Sequence, residues 1–206
     1  MMNVEILAGM KRSTPFAMPW PTEQTPATIL AFTSPDDWLA FLKARDLNTL
    51  VPQIVSAKFS RAQRLYALSW LDFDLVKAGE LVAITALELA LRDRYAGQMK
   101  QKRPMLDALL RHLVNEDHLT DDELAFTRRY GGSVEKILFE TNAAMQARKS
   151  DGGPPPTTLV SIRNGLVHGD PFDGLPWSGL LELIRDLIEY VYRDMIAPDQ
   201  TLRGRV

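Results

Sequence analysis

Glu80-Leu81-Val82-Ala83-Ile84-Thr85-Ala86-Leu87-Glu88-Leu89-Ala90-Leu91-Arg92-Asp93-Arg94-Tyr95 is the run on which the fold turns. It contains no Gly or Pro and is rich in strong helix formers. At about 100° per residue, Leu81, Val82, Ile84, Leu87, Leu89 and Leu91 spread over nearly the whole helix surface. A helix that is apolar on almost every side is covered on every side, so this one belongs at the centre of a bundle. Glu88 falls on the same side as Leu81, Ile84, Leu91 and Tyr95, where a carboxylate requires a cation. Arg92, four residues on, and Arg163 are the candidates.

Upstream, Ser60 and Gln63 have capping-box spacing and Gly79 is a natural stop, so the sequence predicts a helix over roughly 61–78. Ser34, followed by Pro35, Asp36 and Asp37, opens an earlier short helix with Trp38, Phe41 and Leu42 on its apolar stripe. Residues 1–33, broken by Pro15, Pro19, Pro21 and Pro26, read as an extended arm with one short strand at Thr28–Phe32. Downstream, helices are expected at 104–114, 121–130 and 134–148, the second opened by Thr120 and Glu123 and the third set off by Gly131 and Gly132. Ser150 to Pro156 is the strongest break and reads as a surface loop. Thr157 or Thr158 then caps a short helix that runs to His168 and stops at Gly169 and Pro171. The last helix, about 177–196, places Leu180, Ile184, Leu187, Ile188 and Val191 on the core side, and Glu182, Arg185, Glu189 and Arg193 towards water. The expectation is an all-α, up-down bundle over 59–198. An N-terminal extension over 1–58 supplies the partly extended arm and one extra helix, and 199–206 is a tail.

Composition narrows the function classes. The chain has 206 residues, 46% of them hydrophobic, and a formal net charge of -2. Such a balance does not coat nucleic acid through bulk charge, so RNA binding would need a local basic patch. Lys100, Lys102 and Arg103 form the one compact basic run and are the first candidates for backbone-phosphate contacts. With no cysteine, there are no thiolate metal sites and no cysteine nucleophile. No run approaches the roughly 18 apolar residues of a membrane span, and the expected location is cytoplasmic. His112 and Glu116, with His118 nearby, lack a convincing third ligand, so neither a metal nor another cofactor is expected. Trp20, Trp38, Trp70 and Trp177 read as core or interface anchors.

The chemically pointed segment is Arg163-Asn164-Gly165-Leu166-Val167-His168. On a helix Asn164 and His168 share a face, whereas Arg163 and His168 lie about 140° apart. A long guanidinium can still swing towards a shared pocket at a helix end, and Gly165 leaves room for close approach. His168 sits in the last turn, where the helix dipole favours a cation, and Asp170 is close enough to pair with it. Arginine grips phosphate and histidine moves protons near neutral pH, while RNA supplies its own nucleophile in the 2′-hydroxyl. Phosphodiester cleavage without a metal needs little else. The competing reading is structural: Arg163 pairs with a core carboxylate such as Glu88, and His168 caps a carbonyl.

An arginine, a polar residue and a histidine four to six positions on, just before the final helices of an α bundle, resembles the signature of the HEPN superfamily. The Ala86–Tyr95 helix is also similar to the second bundle helix of uncharacterised bacterial HEPN-like proteins. The resemblance covers roughly 60–196. It implies a metal-independent endoribonuclease in a toxin–antitoxin or phage-defence setting, working as a homodimer whose motif helices build one cleft. His168 would then transfer protons, Arg163 would hold the scissile phosphate and Asn164 would orient one of them. Glu88 and Asp170 would support these residues from behind. A separate antitoxin or partner chain also belongs to this picture. Gly169-Asp170-Pro171-Phe172 departs from the tyrosines that follow the histidine in many toxin-type members. The same resemblance admits non-catalytic modules that bind a nucleotide, RNA or a protein, and plain dimerisation scaffolds.

Overall fold

The structure is a computed structural model describing residues 7, 10, 12–23, 25–169 and 175–197. Along the chain it runs β1 (Phe16–Thr22), β2 (Thr25–Phe32), α1 (Pro35–Lys43), α2 (Gln53–Leu68), α3 (Leu75–Tyr95), α4 (Leu106–Asn115) and α5 (Ala125–Tyr130). It continues with α6 (Val134–Leu138), α7 (Asn142–Asp151), α8 (Leu159–His168), α9 (Leu180–Val191) and α10 (Arg193–Ile196). The protein is mostly helical, with α3 as its axis. Val76, Ala83, Ile84, Ala86, Leu87, Ala90 and Leu91 of α3 are fully buried, and α2, α4, α8 and α9 all pack on it. The expected 199–206 tail lies outside the described residues.

The mostly helical expectation agrees with this architecture, and the arm, expected to be partly extended with one short strand, folds into an antiparallel hairpin of two strands. Phe16 pairs with Phe32, Met18 with Leu30 and Trp20 with Thr28. Phe16, Met18 and Trp20 alternate along β1, each at most 2% exposed, as on the inward face of a strand. Pro19 and Pro21 are buried as well, so the strand is covered on both faces from Met18 to Pro21. Each strand of a two-stranded sheet keeps one edge unpaired, so Pro19, Pro21 and Pro26 can be carried there. The hairpin docks through aromatic packing. The Phe16 ring lies 5.1 Å from Trp38 and 5.6 Å from Trp70, and Trp38 Nε1 donates to the Tyr66 carbonyl at 2.8 Å. Phe16, Met18, Trp20, Phe32, Trp38 and Leu42 therefore belong to the same core as the bundle, and the 58/59 boundary falls inside α2.

A first correction concerns Gly79, which does not stop a helix but sits within α3, while Ser60 and Gln63 lie mid-helix in α2. A Cβ at Gly79 would stand 2.7 Å from Tyr66 Cδ2. The glycine lets α2 and α3 approach closely enough for the buried Tyr66 ring to lie between them. The 121–130 helix is shorter than expected, beginning at Ala125 after a turn in which the Thr120 N–H and hydroxyl both donate to Glu123 Oε2 at 3.0 Å. The 134–148 helix is interrupted where Phe139 turns extended into the core, with the Arg111 guanidinium 4.3 Å above its ring. Thr141 then caps α7, accepting from Ala144 N at 3.1 Å.

A further correction is at Glu182, which does not face water: it is 2% exposed. The hairpin and α5 cover the side of α9 that the sequence leaves polar. Trp20 Nε1 donates to Glu182 Oε2 at 3.0 Å and Arg45 Nε at 2.8 Å. The Arg129 guanidinium and the Tyr130 hydroxyl reach Oε1. Burial costs these charges solvation, and it pulls the Arg45 pKa down to about 10. One turn on, burial raises the pKa of Asp186, even though Arg185 donates to its Oδ1 from both Nε and Nη2.

Candidate functional site

The candidate helix α8 has defined ends. Thr158 and Ser161 form a reciprocal capping box, with Ser161 N donating to Thr158 Oγ1 at 3.2 Å and Thr158 N to Ser161 Oγ at 2.8 Å. At the other end Gly169 adopts φ 80° and donates its N–H to the Gly165 carbonyl, a left-handed cap that turns the chain away directly after His168. Leu159 is the buried anchor of this helix. Val160, Ile162, Gly165 and Leu166 are half-buried, Asn164 and His168 are exposed, and Val167 keeps 48% of its surface in solvent.

Arg163 is half-buried and lies against α3. Its Nη2 is 3.8 Å from Glu88 Oε2, and its Nη1 is 3.4 Å from Asn164 Oδ1. Glu88, 6% exposed, receives a much closer guanidinium from Arg92, whose Nη2 stands 2.5 Å from Oε1. Two cations thus meet one buried carboxylate. Distance decides between them: Arg92 supplies the neutralising contact, while the longer contacts of Arg163 hold it loosely. Two guanidiniums against one carboxylate leave the cluster with a surplus positive charge, as an anion site requires.

Arg92 Nη2 also approaches the Pro104 carbonyl at 3.5 Å. Pro104 closes the connection that carries Lys100, Lys102 and Arg103, all three exposed. The basic connection and α8 are therefore tied to the same carboxylate on α3. His168, about 140° around the helix from Arg163, is not drawn towards it within one chain. Asp170 lies outside the described residues.

The His112 ring packs on Tyr95 with centroids 4.9 Å apart, and Glu116 lines the same polar cavity of about 260 Å³. Among the described residues no group of three or more His, Asp or Glu could hold a metal ion, and no helix is long and apolar enough to cross a membrane. Trp20, Trp38 and Trp70 are buried. Trp177 is half-buried, and its backbone N–H donates to Glu80 Oε1 at 2.6 Å.

Two charge clusters have no counterpart in the sequence reading. One is centred on Glu182. The other is centred on Asp117, which accepts the Tyr95 hydroxyl at 2.6 Å and both Arg193 Nη atoms at 2.8 and 2.9 Å. Their members are separated by many residues and share no local spacing. The only available signal was a pair of carboxylates, Glu182 and Asp186, four apart on a strongly apolar helix. No family model, curated protein or solved structure matches the chain.

Proposed function

We propose that the protein is a metal-independent endoribonuclease of the HEPN type, with Arg163, Asn164 and His168 of α8 as its reacting and positioning groups. The observation that carries this reading is the state of Arg163: half-buried, aimed by Glu88, yet left chemically available because Arg92 is the closer partner. A phosphate oxygen could replace the long Glu88 contact without stranding the buried carboxylate. Exposed His168, at the end of the same helix, would exchange protons with the 2′-hydroxyl and the leaving 5′-oxygen. Lys100, Lys102 and Arg103 would hold flanking phosphates.

One chain offers one arginine and one histidine on different sides of α8. A homodimer that apposes two α8 helices would bring the Arg163 of one copy towards the His168 of the other. Val167, next to His168, and half-buried Ile162 and Leu166 supply apolar surface for such a contact. A toxin or phage-defence role, with a separate antitoxin chain, is part of the same proposal and rests on the resemblance.

The test is cleavage of single-stranded RNA by purified protein in EDTA. The wild type is expected to cut. His168→Ala is expected to abolish cutting with an unchanged melting temperature, because the side chain is exposed. A non-catalytic RNA-binding module is the second reading, favoured by the partial engagement of Arg163 with Glu88. RNA bound but left intact by both proteins would establish that reading instead.

A further inference from the structure

The outer face of α2 carries exposed apolar and basic side chains together. Ile54, Ala57, Arg61 and Arg64 of α2 follow one another at spacings of three, four and three, all four exposed, and exposed Leu50 stands in the turn just before the helix. That spacing is the seam of a helix that pairs with another helix. Its N-terminal end is apolar, with Ile54 at 65% exposure beside Leu50 at 52% in the preceding turn, and its second half is basic.

Two further observations say what would cover it. First, no Asp or Glu occurs between Asp46 and Asp72. Lys43, Lys58, Arg61 and Arg64 have no carboxylate within salt-bridge distance among the described residues. Arg45, Arg94, Arg111, Arg148 and Arg193 are each ion-paired, whereas exposed Lys100, Lys102 and Arg103 share the lack of a carboxylate among the described residues but are not joined to an apolar helix face. Second, the seam borders a groove of about 850 Å³ lined by Leu39, Lys43, Asp46, Phe59, Gln63 and Arg64, among others. Gln63, 4% exposed, donates its amide nitrogen to the Leu42 carbonyl at 3.2 Å and to Asp46 Oδ1 at 2.8 Å. The Leu42 carbonyl can only accept, which fixes the orientation of the amide. Gln63 Oε1 is left as an acceptor without a partner among the described residues.

We infer that this face docks an acidic amphipathic helix of a partner protein. Apolar side chains at heptad spacing would cover Leu50, Ile54 and Ala57, and Asp or Glu would meet Arg61, Arg64 and Lys43. The span from Ile54 to Arg64, about 15 Å at 1.5 Å per residue, matches roughly three turns of such a helix. A second copy of α2 is a poor occupant, because it brings cations and no carboxylate. Bare phosphate backbone would leave Leu50 and Ile54 uncovered. Charge complementarity and exposed apolar area together select the acidic helix. The inference does not depend on the chemistry of α8.

The probe is a labelled three-heptad synthetic peptide with Leu at the a and d positions and Glu at e and g, titrated with the full chain by fluorescence anisotropy. Saturable binding of one peptide per chain in the micromolar range is expected, weakening as salt is raised. Arg61→Glu with Arg64→Glu should weaken it roughly tenfold or more, and Leu50→Ser with Ile54→Ser should do the same. These side chains are exposed, and circular dichroism would check that both double variants stay folded. Failure of the acidic peptide to saturate, equal binding by a lysine version of it, or indifference to the Arg61 and Arg64 reversals would each overturn the proposal. So would single-stranded RNA or phosphatidylserine vesicles binding this face, sensitive to the same reversals, while the peptide does not compete. A dimer in light scattering that Leu50→Ser with Ile54→Ser dissolves would assign the seam to a second copy and overturn it as well.

Discussion

Asp117 shows how far single residues can be read. Burial opposes its charge, but hydrogen bonds from Arg193 and Tyr95 and the Arg193 charge outweigh burial, so its pKa falls below the ordinary 3.8. A depressed carboxyl contributes stability that is present above the unfolded value and is lost as pH falls through the folded one. Glu80 and Asp186, raised by burial, act in the opposite sense: their contribution is present at low pH and is lost as pH rises. Comparing wild type with Asp117→Asn isolates the first effect. We expect Asp117→Asn to be less stable near pH 7 by about 1–2 kcal/mol, discounted for its partly exposed partners. It should also show a shallower fall in melting temperature between about pH 5 and pH 2. Identical acid slopes in the two proteins would refute the account. From sequence, Glu88 was legible because it interrupts an apolar run and Arg92 stands one turn away. Glu182 was not, since its partners come from the hairpin, the end of α1 and α5.

Among elements, the α2–α3 contact carries the clearest consequence. Alanine in a helix is favoured over glycine by up to about 1 kcal/mol, which by itself would make Gly79→Ala stabilising. The added Cβ would stand 2.7 Å from a ring carbon of Tyr66, itself 1% exposed. Overpacking a closed site costs about 1–3 kcal/mol, so steric conflict prevails. Gly79→Ala should lower stability by about 1–2 kcal/mol in urea titrations, and adding Tyr66→Leu to it should recover part of that loss. A more stable Gly79→Ala protein would show that the helices can part freely. Local signals placed α4 and α8 well, since Pro104, the Thr158 cap and Gly169 act through their immediate neighbours, whereas the helix expected over about 177–196 begins at Leu180 and breaks at Tyr192. The same signals misled at Gly79, where the glycine serves a neighbouring helix. They also misled in the arm, where three prolines masked the alternation of Phe16, Met18 and Trp20.

For the whole molecule, the proposed ribonuclease requires two copies. Light scattering at micromolar concentration is expected to give the mass of a dimer. Val167→Glu should shift it to a monomer and remove cleavage while leaving the melting temperature near wild type, because Val167 is 48% exposed. A wild-type monomer that still cuts RNA would dismiss the composite site. The overall class was legible from one apolar run and one amphipath, because burying both requires a bundle. What the sequence did not disclose is that the hairpin and the segment after α1 close on α9. Trp20 reaches Glu182 across 162 positions, and the Asn48 N–H reaches the Glu189 carboxylate at 2.8 Å across 141. During translation at roughly 5–20 residues per second, the hairpin emerges on the order of 10–30 s before the helix that must lock it. Until then Trp20 has an incomplete seat, so a ribosome stalled before α9 would hold a chain exposed to chaperones and proteases.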